Sequence, residues 1–274
     1  MNLHLQQFNK IIISPLVFVG CVGLLTSCEG RKGEGELKDA RSASTATESL
    51  DLYKKVIQVY KQDSIAMKAA LEASSMCLKE KTCADREEFF LKYIIEKSDK
   101  EADQIAAQKR LSEIYYDKGF YPQAIDEMNR LLSKANFKDG RAEIKIKLAK
   151  SNFYIKNFYQ AEVELNSYIK EVKDNHEKFE GYLLKADIQS ANKKYTDAMN
   201  TYKEIKESFK DLYFRNQVFM NEVLLLEEQK LLDQAVSILE SVRSEIENPE
   251  ALDAKIERLK ERKALMPGAS GLKR

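Results

Sequence analysis

The sequence has no tryptophan, only two histidines, and only ten glycines and four prolines in 274 residues. Histidine is the side chain that most readily exchanges protons near neutral pH, and it is a common metal ligand. His4 and His176 therefore offer little for either role. Scarce glycine also argues against the Gly-rich loops that cradle nucleotide phosphates. We predict that the chain is not an enzyme and has no catalytic residues, no metal site and no cofactor.

An excess of charge of one sign is also missing, because 45 Lys and Arg residues stand against 44 Asp and Glu residues, a net charge of +1. Nucleic-acid-binding proteins normally carry a basic excess or a basic face, so we expect no nucleic-acid partner. We expect no small-molecule substrate either. Lys, Glu, Leu and Ala are abundant, and these residues favour helices. The composition predicts an all-α fold.

The only long apolar run lies near the start of the chain. Ile11 to Leu25 is a fifteen-residue apolar stretch that follows a polar segment carrying Lys10. A helix of that length spans about 22 Å, which is short of the roughly 30 Å hydrocarbon core of a bilayer. We predict that residues 1–27 are a secretory signal peptide.

The end of this segment, Leu25-Thr26-Ser27-Cys28, resembles the signal box of bacterial lipoproteins. The resemblance implies that Cys28 carries a diacylglyceryl group, that cleavage precedes it, and that the new amino terminus is acylated, for example with palmitate. The lipid would then be the only group attached to the protein. An ordinary cleaved signal, or an uncleaved anchor in which Cys28 is incidental, is the alternative.

The resemblance also implies a location in the cell envelope. Because Glu29-Gly30 lacks the aspartate associated with inner-membrane retention, we expect an outer-membrane lipid anchor that faces the periplasm. The inner membrane and the cell surface are the alternatives. Residues 28–48 are rich in Gly, Ser, Thr and charge, so beyond the lipidated cysteine we predict a flexible tether.

Two cysteines remain after the signal peptide and Cys28 are accounted for. Cys77 and Cys83 are six positions apart, a spacing that matches neither a thiol oxidoreductase motif nor a zinc site. An exported chain lies in an oxidising compartment. We predict a structural disulfide between Cys77 and Cys83, with two free thiols as the alternative.

The strongest pattern in the body is a 37-residue repeat. Ala124, Ala161, Ala198 and Ala235 are equally spaced, and twelve residues before each alanine stands Ser112, Ala149, Ala186 or Val223. A small residue on each of two helices, with bulky residues at helical spacing around it, is typical of closely crossing helices. The pattern predicts stacked helical hairpins.

The first copy resembles the tetratricopeptide repeat (TPR) family. The matching residues are Leu111, Ser112, Tyr115, Gly119, Tyr121, Ala124 and Leu131. In the later copies the glycine is replaced by Lys156, Lys193 and Lys230, and the period exceeds the usual 34 residues by three. The resemblance implies a right-handed superhelical solenoid of antiparallel helix pairs.

The repeat also predicts how the body is divided. Residues 101–246 hold four TPR-like repeats, and residues 49–100 hold a leading helix and a degenerate first repeat in which Glu87 replaces the packing alanine. Residues 247–265 form a charged C-terminal capping helix, because a repeat array needs a polar terminal element. Residues 266–274 form a disordered tail.

The TPR resemblance also implies a groove for a partner, lined by the first helix of each repeat. The positions that match this face are Lys109, Glu113, Tyr116, Ile146, Lys150, Phe153, Leu183, Asp187, Met220 and Leu224. Aromatic and aliphatic groups flanked by charge suit a bound peptide. The alternative is that these residues pack between neighbouring repeats.

Together these features suggest a lipid-anchored envelope scaffold or adaptor that binds a protein or peptide partner. The chain resembles bacterial TPR lipoproteins, including the TPR-containing lipoproteins of outer-membrane assembly and the pilotins. The resemblance implies a role in outer-membrane protein or secretin assembly. An accessory subunit of an envelope enzyme acting on peptidoglycan, and a soluble TPR adaptor without lipid, are the alternatives.

Overall fold

The computed structural model describes residues 32–61, 63–79, 83–246 and 249–266. Within these ranges all regular secondary structure is helical, which confirms the all-α prediction. The signal peptide, Cys28 and most of the predicted tail lie outside the described residues. The chain divides into two compact units, Met1–Ile114 and Tyr115–Arg274, and each is described by itself.

The described helices are α-helices apart from the residues in 3₁₀ conformation, Cys83 and Arg243–Glu245. In the first unit they are α1 (32–42), α2 (Ala46–Val59), α3 (Ser64–Lys79), α4 (Ala84–Lys97) and most of α5 (Glu101–Asp117). In the second unit they are α6 (Tyr121–Ser133), α7 (Arg141–Tyr154), α8 (Phe158–Glu171), α9 (Asn175–Ala191), α10 (Tyr195–Ser208), α11 (Lys210–Arg215), α12 (Phe219–Glu228), α13 (Leu232–Val242) and α14 (Glu250–Ala264).

The 37-residue period appears directly in the helices of the second unit. Helices α6, α8, α10 and α13 begin 37 residues apart, and the four repeat alanines, Ala124, Ala161, Ala198 and Ala235, are completely buried. Ala149 shares one apolar cluster with Ala161, and Ala186 and Val223 share another with Ala198 and Ala235. Small side chains at these positions let the helices of each hairpin cross closely.

The turn inside each repeat has a left-handed residue at the same register position. Gly119 has a φ of 74°, and Lys156, Lys193 and Lys230 have φ values of 62°, 59° and 60°. In each copy two hydrogen bonds close the end of the first helix, as in the turn where the N–H of Lys193 donates to the Ser190 carbonyl at 2.9 Å. This is the Schellman arrangement, which needs one left-handed residue and normally uses glycine. Three repeats therefore hold a lysine in a conformation that glycine would adopt without strain.

The prediction of a flexible tether over residues 28–48 is wrong for residues 32–42, which form helix α1. Gly33, Leu37 and Ala40 are buried in the first unit, and they fall on one face of the helix at spacings of four and three residues. Few apolar side chains suffice to pack α1 into the unit, because Gly33 lets the backbone of α1 come close to Ile65 and Tyr60. The predicted leading helix, α2, is therefore the second helix of an α1–α2 pair.

The disulfide predicted between Cys77 and Cys83 is absent, since both residues are buried free thiols. Cys77 lies in the last turns of α3, and Cys83 directly precedes α4. Burial, a hydrogen bond with Cys83 and the nearby Glu87 carboxylate raise the pKa of the Cys77 thiol. The two thiols therefore lie in contact with each other inside the first unit.

Glu87 shows what happens where the packing alanine is lost. Its side chain is 0% exposed, and the Arg110 guanidinium donates two hydrogen bonds of 2.9 Å to its two carboxylate oxygens. A buried carboxylate needs such a bidentate partner to offset its desolvation. The contact joins α4 to α5 within the first unit.

The left-handed turn predicts opposite effects for two substitutions. We expect Gly119→Ala to lower the free energy of unfolding by about 1 kcal/mol, because a side chain disfavours positive φ. Only Tyr121 comes within 4 Å of a Cβ built there, so the effect isolates the backbone strain. We expect Lys193→Gly to raise the same quantity by about 0.5–1 kcal/mol. Urea unfolding followed by circular dichroism measures both, and equal signs would contradict the strain argument.

The packing of α1 predicts that Leu37 is a core residue. We expect Leu37→Ala to lower the free energy of unfolding by about 2–4 kcal/mol, because it leaves a cavity. Lys38→Ala, at an exposed position on the same helix, serves as the matched control and should change it by less than about 0.5 kcal/mol. If both variants unfold like the unmodified chain in urea, residues 32–42 are not docked.

Candidate functional site

The ten predicted groove residues occupy three register positions on the first helices of the repeats. Lys109 and Glu113 belong to the first unit, where their side chains lie 4.0 Å apart as a pair one helical turn apart on α5. The other eight belong to the second unit and lie on the end of α5 and on α7, α9 and α12. The candidate site is the face formed by these eight residues, here called the groove face.

The apolar members of the groove face divide into packed and exposed residues. Ile146 and Phe153 pack against one apolar cluster, and Leu183 and Met220 pack against another, so all four are partly buried. For these residues packing between helices accounts for much of the side chain. Leu224 differs because 53% of its surface is exposed. It is the apolar residue of this face that is most available to a partner.

An aromatic cluster extends the groove face at α6, α7 and α8. The Tyr121 and Tyr154 rings stack with centroids 4.6 Å apart, and Tyr116 meets Tyr121 edge-on at 6.0 Å. Phe153 lies 5.8 Å from Tyr154 and 6.1 Å from Phe158. Burial, together with the neighbouring Tyr154 and Tyr121, raises the pKa of Tyr116 to about 12. The Tyr116 hydroxyl is therefore neutral at physiological pH.

Sequence reasoning found Tyr116 and Phe153 but missed Tyr154, which is 52% exposed. Tyr154 directly follows Phe153 at the end of α7, and its ring turns toward Tyr121 on α6. A search for aromatic residues at adjacent positions of the first helix would have found it. The stacking itself depends on a residue 33 positions away, which local spacing does not reveal.

Two charged groups of the groove face have no ion-pair partner within the described part of the chain. Lys150 is half-buried and Asp187 is exposed, and they occupy equivalent positions in consecutive repeats. Although the Asp187 side chain reaches solvent, burial by the surrounding protein raises the pKa of its carboxyl group. The Asp187 charge also acts on the buried Tyr202 hydroxyl, whose pKa is raised mainly by burial. An unpaired carboxylate in such a place disfavours folding and suits an external cation.

Helix α14 packs on α13 and is joined to α12 by ion pairs of Lys255 and Arg262 with Glu227. Burial opposes ionisation of Glu227, but hydrogen bonds from Lys255 and Arg262 outweigh it and hold the pKa of this carboxyl below its usual range. Lys255 and Leu252 of α14 also line a cavity of about 140 Å³ together with Met220. Met220 and α14 thus face the same cavity, whereas Leu224 is 53% exposed.

Within residues 32–61, 63–79, 83–246 and 249–266, no group of three or more His, Cys, Asp or Glu residues is arranged to hold a metal ion. None of the helices described is both long enough and apolar enough to cross a membrane.

The fold is similar to solved TPR structures. YrrB, a TPR protein with an unusual peptide-binding site, is 14% identical, and the alignment covers 75% of this chain and 97% of YrrB with a TM-score of 0.50. The structure of Naa15/Naa10 bound to HypK-THB is 13% identical and covers 89% of this chain with a TM-score of 0.64. Only 36% of that matched chain is spanned. These likenesses confirm the TPR-like fold, and at such identities they show the fold alone.

The sequence comparisons gave no further relative. No family model matches the chain, and no curated protein matches it.

The environment of Asp187 predicts a pH-dependent gain of stability in Asp187→Asn. A raised folded-state pKa means that folding favours the protonated carboxyl, so stability falls as pH rises above the ordinary value of 3.8. The variant should exceed the unmodified chain in free energy of unfolding at pH 7, by up to about 1 kcal/mol because solvent screens an exposed group. The difference should vanish at pH 3. Asp126→Asn, at another exposed position, is the control, and urea unfolding at both pH values is the measurement.

Proposed function

We propose that this protein is a lipid-anchored envelope scaffold that binds an extended segment of a protein partner along the groove face. The observation that carries the proposal is the combination of exposed Leu224 and Tyr154 with Lys150 and Asp187 on one face of the second unit, where these two charges have no ion-pair partner among the described residues. An apolar anchor surrounded by oriented charges is the pattern of a peptide-binding surface. The role is binding, not catalysis.

Two of the similar structures support this proposal because their names describe a peptide-binding site or a bound protein. YrrB is described as having a peptide-binding site, and Naa15/Naa10 was solved bound to HypK-THB. Both use a fold of the same kind as this chain. A TPR-like array offers long, shallow surfaces because each repeat contacts only its neighbours.

The anchor is the second half of the proposal. Leu25-Thr26-Ser27-Cys28 supports acylation of Cys28, and two or three acyl chains would hold the protein stably on a membrane. We propose the outer membrane, with the protein facing the periplasm. A scaffold at this place would bind client segments during outer-membrane protein or secretin assembly.

Site-specific cross-linking in cells tests the proposed function. A photo-reactive amino acid at Leu224 should form an adduct with a discrete protein partner under ultraviolet light, because that position is exposed on the groove face. The same amino acid at Lys203, which is highly exposed on the second helix α10, is the control and should give no such adduct.

Two further variants make the cross-linking result specific. Asp187→Asn should reduce the Leu224 adduct several-fold without lowering the amount of protein, since the variant is expected to be at least as stable. Cys28→Ala should move the chain out of the membrane fraction and lower the adduct. Identical adducts at Leu224 and Lys203 would contradict the groove assignment.

A further inference from the structure

We propose that one end of the first unit lies directly against the lipid bilayer, held there by a leash of only three residues. This end, here called the basal end, consists of Lys32 at the start of the described part of α1, Val59 at the end of α2, Lys61 between α2 and α3, and Lys100 between α4 and α5. The inference rests on the proposed acylation of Cys28. It replaces a protein that stands off the membrane on a tether with one whose orientation is set by α1.

Helix α1 is packed into the first unit from its second described residue. Gly33 is buried, and a Cβ built on it would come within 2.7 Å of the Ile65 side chain and 3.3 Å of the Tyr60 ring. Leu37 and Ala40 are completely buried further along the helix. The helix is therefore fixed to α2 and α3 from its second described residue onward.

Polar contacts also hold α1 near both of its ends. Arg41 donates two hydrogen bonds, of 2.8 and 2.7 Å, to the two carboxylate oxygens of Glu72 on α3. At the other end the Lys68 amine donates to Glu34 at 3.0 Å. Hydrogen bonding from Arg41 lowers the pKa of Glu72, so this carboxylate is ionised and the pair holds at neutral pH.

The chain between Cys28 and the described part of α1 is short. Only residues 29–31 separate Cys28 from the described part of α1, which begins at Lys32. Four Cα-to-Cα steps span at most about 14 Å even when fully extended. A diacylglyceryl group on Cys28 places that residue at the membrane surface, so the start of α1 must lie within that distance of the bilayer.

Parts of α2, α3 and α4 lie at the same end of the unit as the start of α1. Gly33 contacts Tyr60, which directly follows α2, and Ile65 at the start of α3, so the α2–α3 connection adjoins the start of α1. The Tyr93 hydroxyl donates to the Lys61 carbonyl at 2.8 Å, which brings the end of α4 to the same place. Lys79, the last residue of α3, lies at the opposite end of that helix, about 24 Å away for a 16-residue helix.

The chemistry of the basal end suits a headgroup layer. Val59 is 57% exposed, and the exposed lysines Lys32, Lys61 and Lys100 stand against the exposed carboxylates of Asp63 and Asp99. Lysine side chains at an interface extend their amines toward phosphates while their stems lie along apolar surface. The excess of positive charge is small, so the acyl chains supply the affinity and the basal end sets the orientation.

Energy transfer from the protein to lipid acceptors tests the orientation. The full acylated chain is placed on phospholipid vesicles with acceptor-labelled headgroups, carrying a fluorescent amino acid at Lys61 or at Lys79. Both positions are exposed, so the label should not disturb the core. Transfer should be several-fold stronger from position 61, which corresponds to a donor about 24 Å nearer the membrane.

A flexible insertion provides the control for the leash. Twenty Gly and Ser residues placed between Glu29 and Gly30 should make transfer from positions 61 and 79 nearly equal. Equal transfer without the insertion, in a chain whose acylation is verified by mass spectrometry, would overturn the orientation and leave the proposed anchor intact. An unacylated chain with no transfer from either position would overturn both.

Discussion

The architecture depends on one repeated contact, the close crossing of two helices at a small residue. The repeat alanines are completely buried, and their 37-residue spacing sets where the second helix of each repeat begins; they are Ala124, Ala161, Ala198 and Ala235. Because this contact fixes the hairpin, other positions can vary. The left-handed turn is glycine in one copy and lysine in three, so the packing of each hairpin outweighs a strain of about 1 kcal/mol at the turn.

The same contact explains why the first unit is harder to recognise. Where Glu87 takes the alanine position, the space is filled by a bidentate pair with Arg110, and a polar solution replaces an apolar one. Removing one partner of such a pair leaves a buried charge, whereas a packed alanine has no such dependence. The α1–α2 and α3–α4 pairs therefore use the architecture of the repeats without their sequence signature.

How much of this structure the sequence predicts depends on whether each interaction is made between residues close together or far apart in the chain. The all-α class, the period and the groove positions follow from local spacing, which records helices well. The helix at residues 32–42 does not, because Gly33, Leu37 and Ala40 become a core face only when α2 and α3 are present to cover them. The disulfide prediction was wrong for a different reason, since the spacing brings Cys77 and Cys83 into contact but does not determine whether the two thiols are oxidised. Within the groove face, Met220 packs against a buried cluster built from several helices whereas Leu224 is exposed, and local spacing does not separate the two.

Docking of α1 also changes what the N-terminus can do. A flexible tether would let an anchored protein sample many orientations and a wide shell above the membrane. A helix fixed to its unit by an apolar face and by Arg41–Glu72 transmits the position of its first residue to the whole unit. Under the proposed acylation of Cys28, anchoring would determine the orientation of the first unit as well as its location. A partner of that unit held at the same membrane would then meet it at a raised effective concentration.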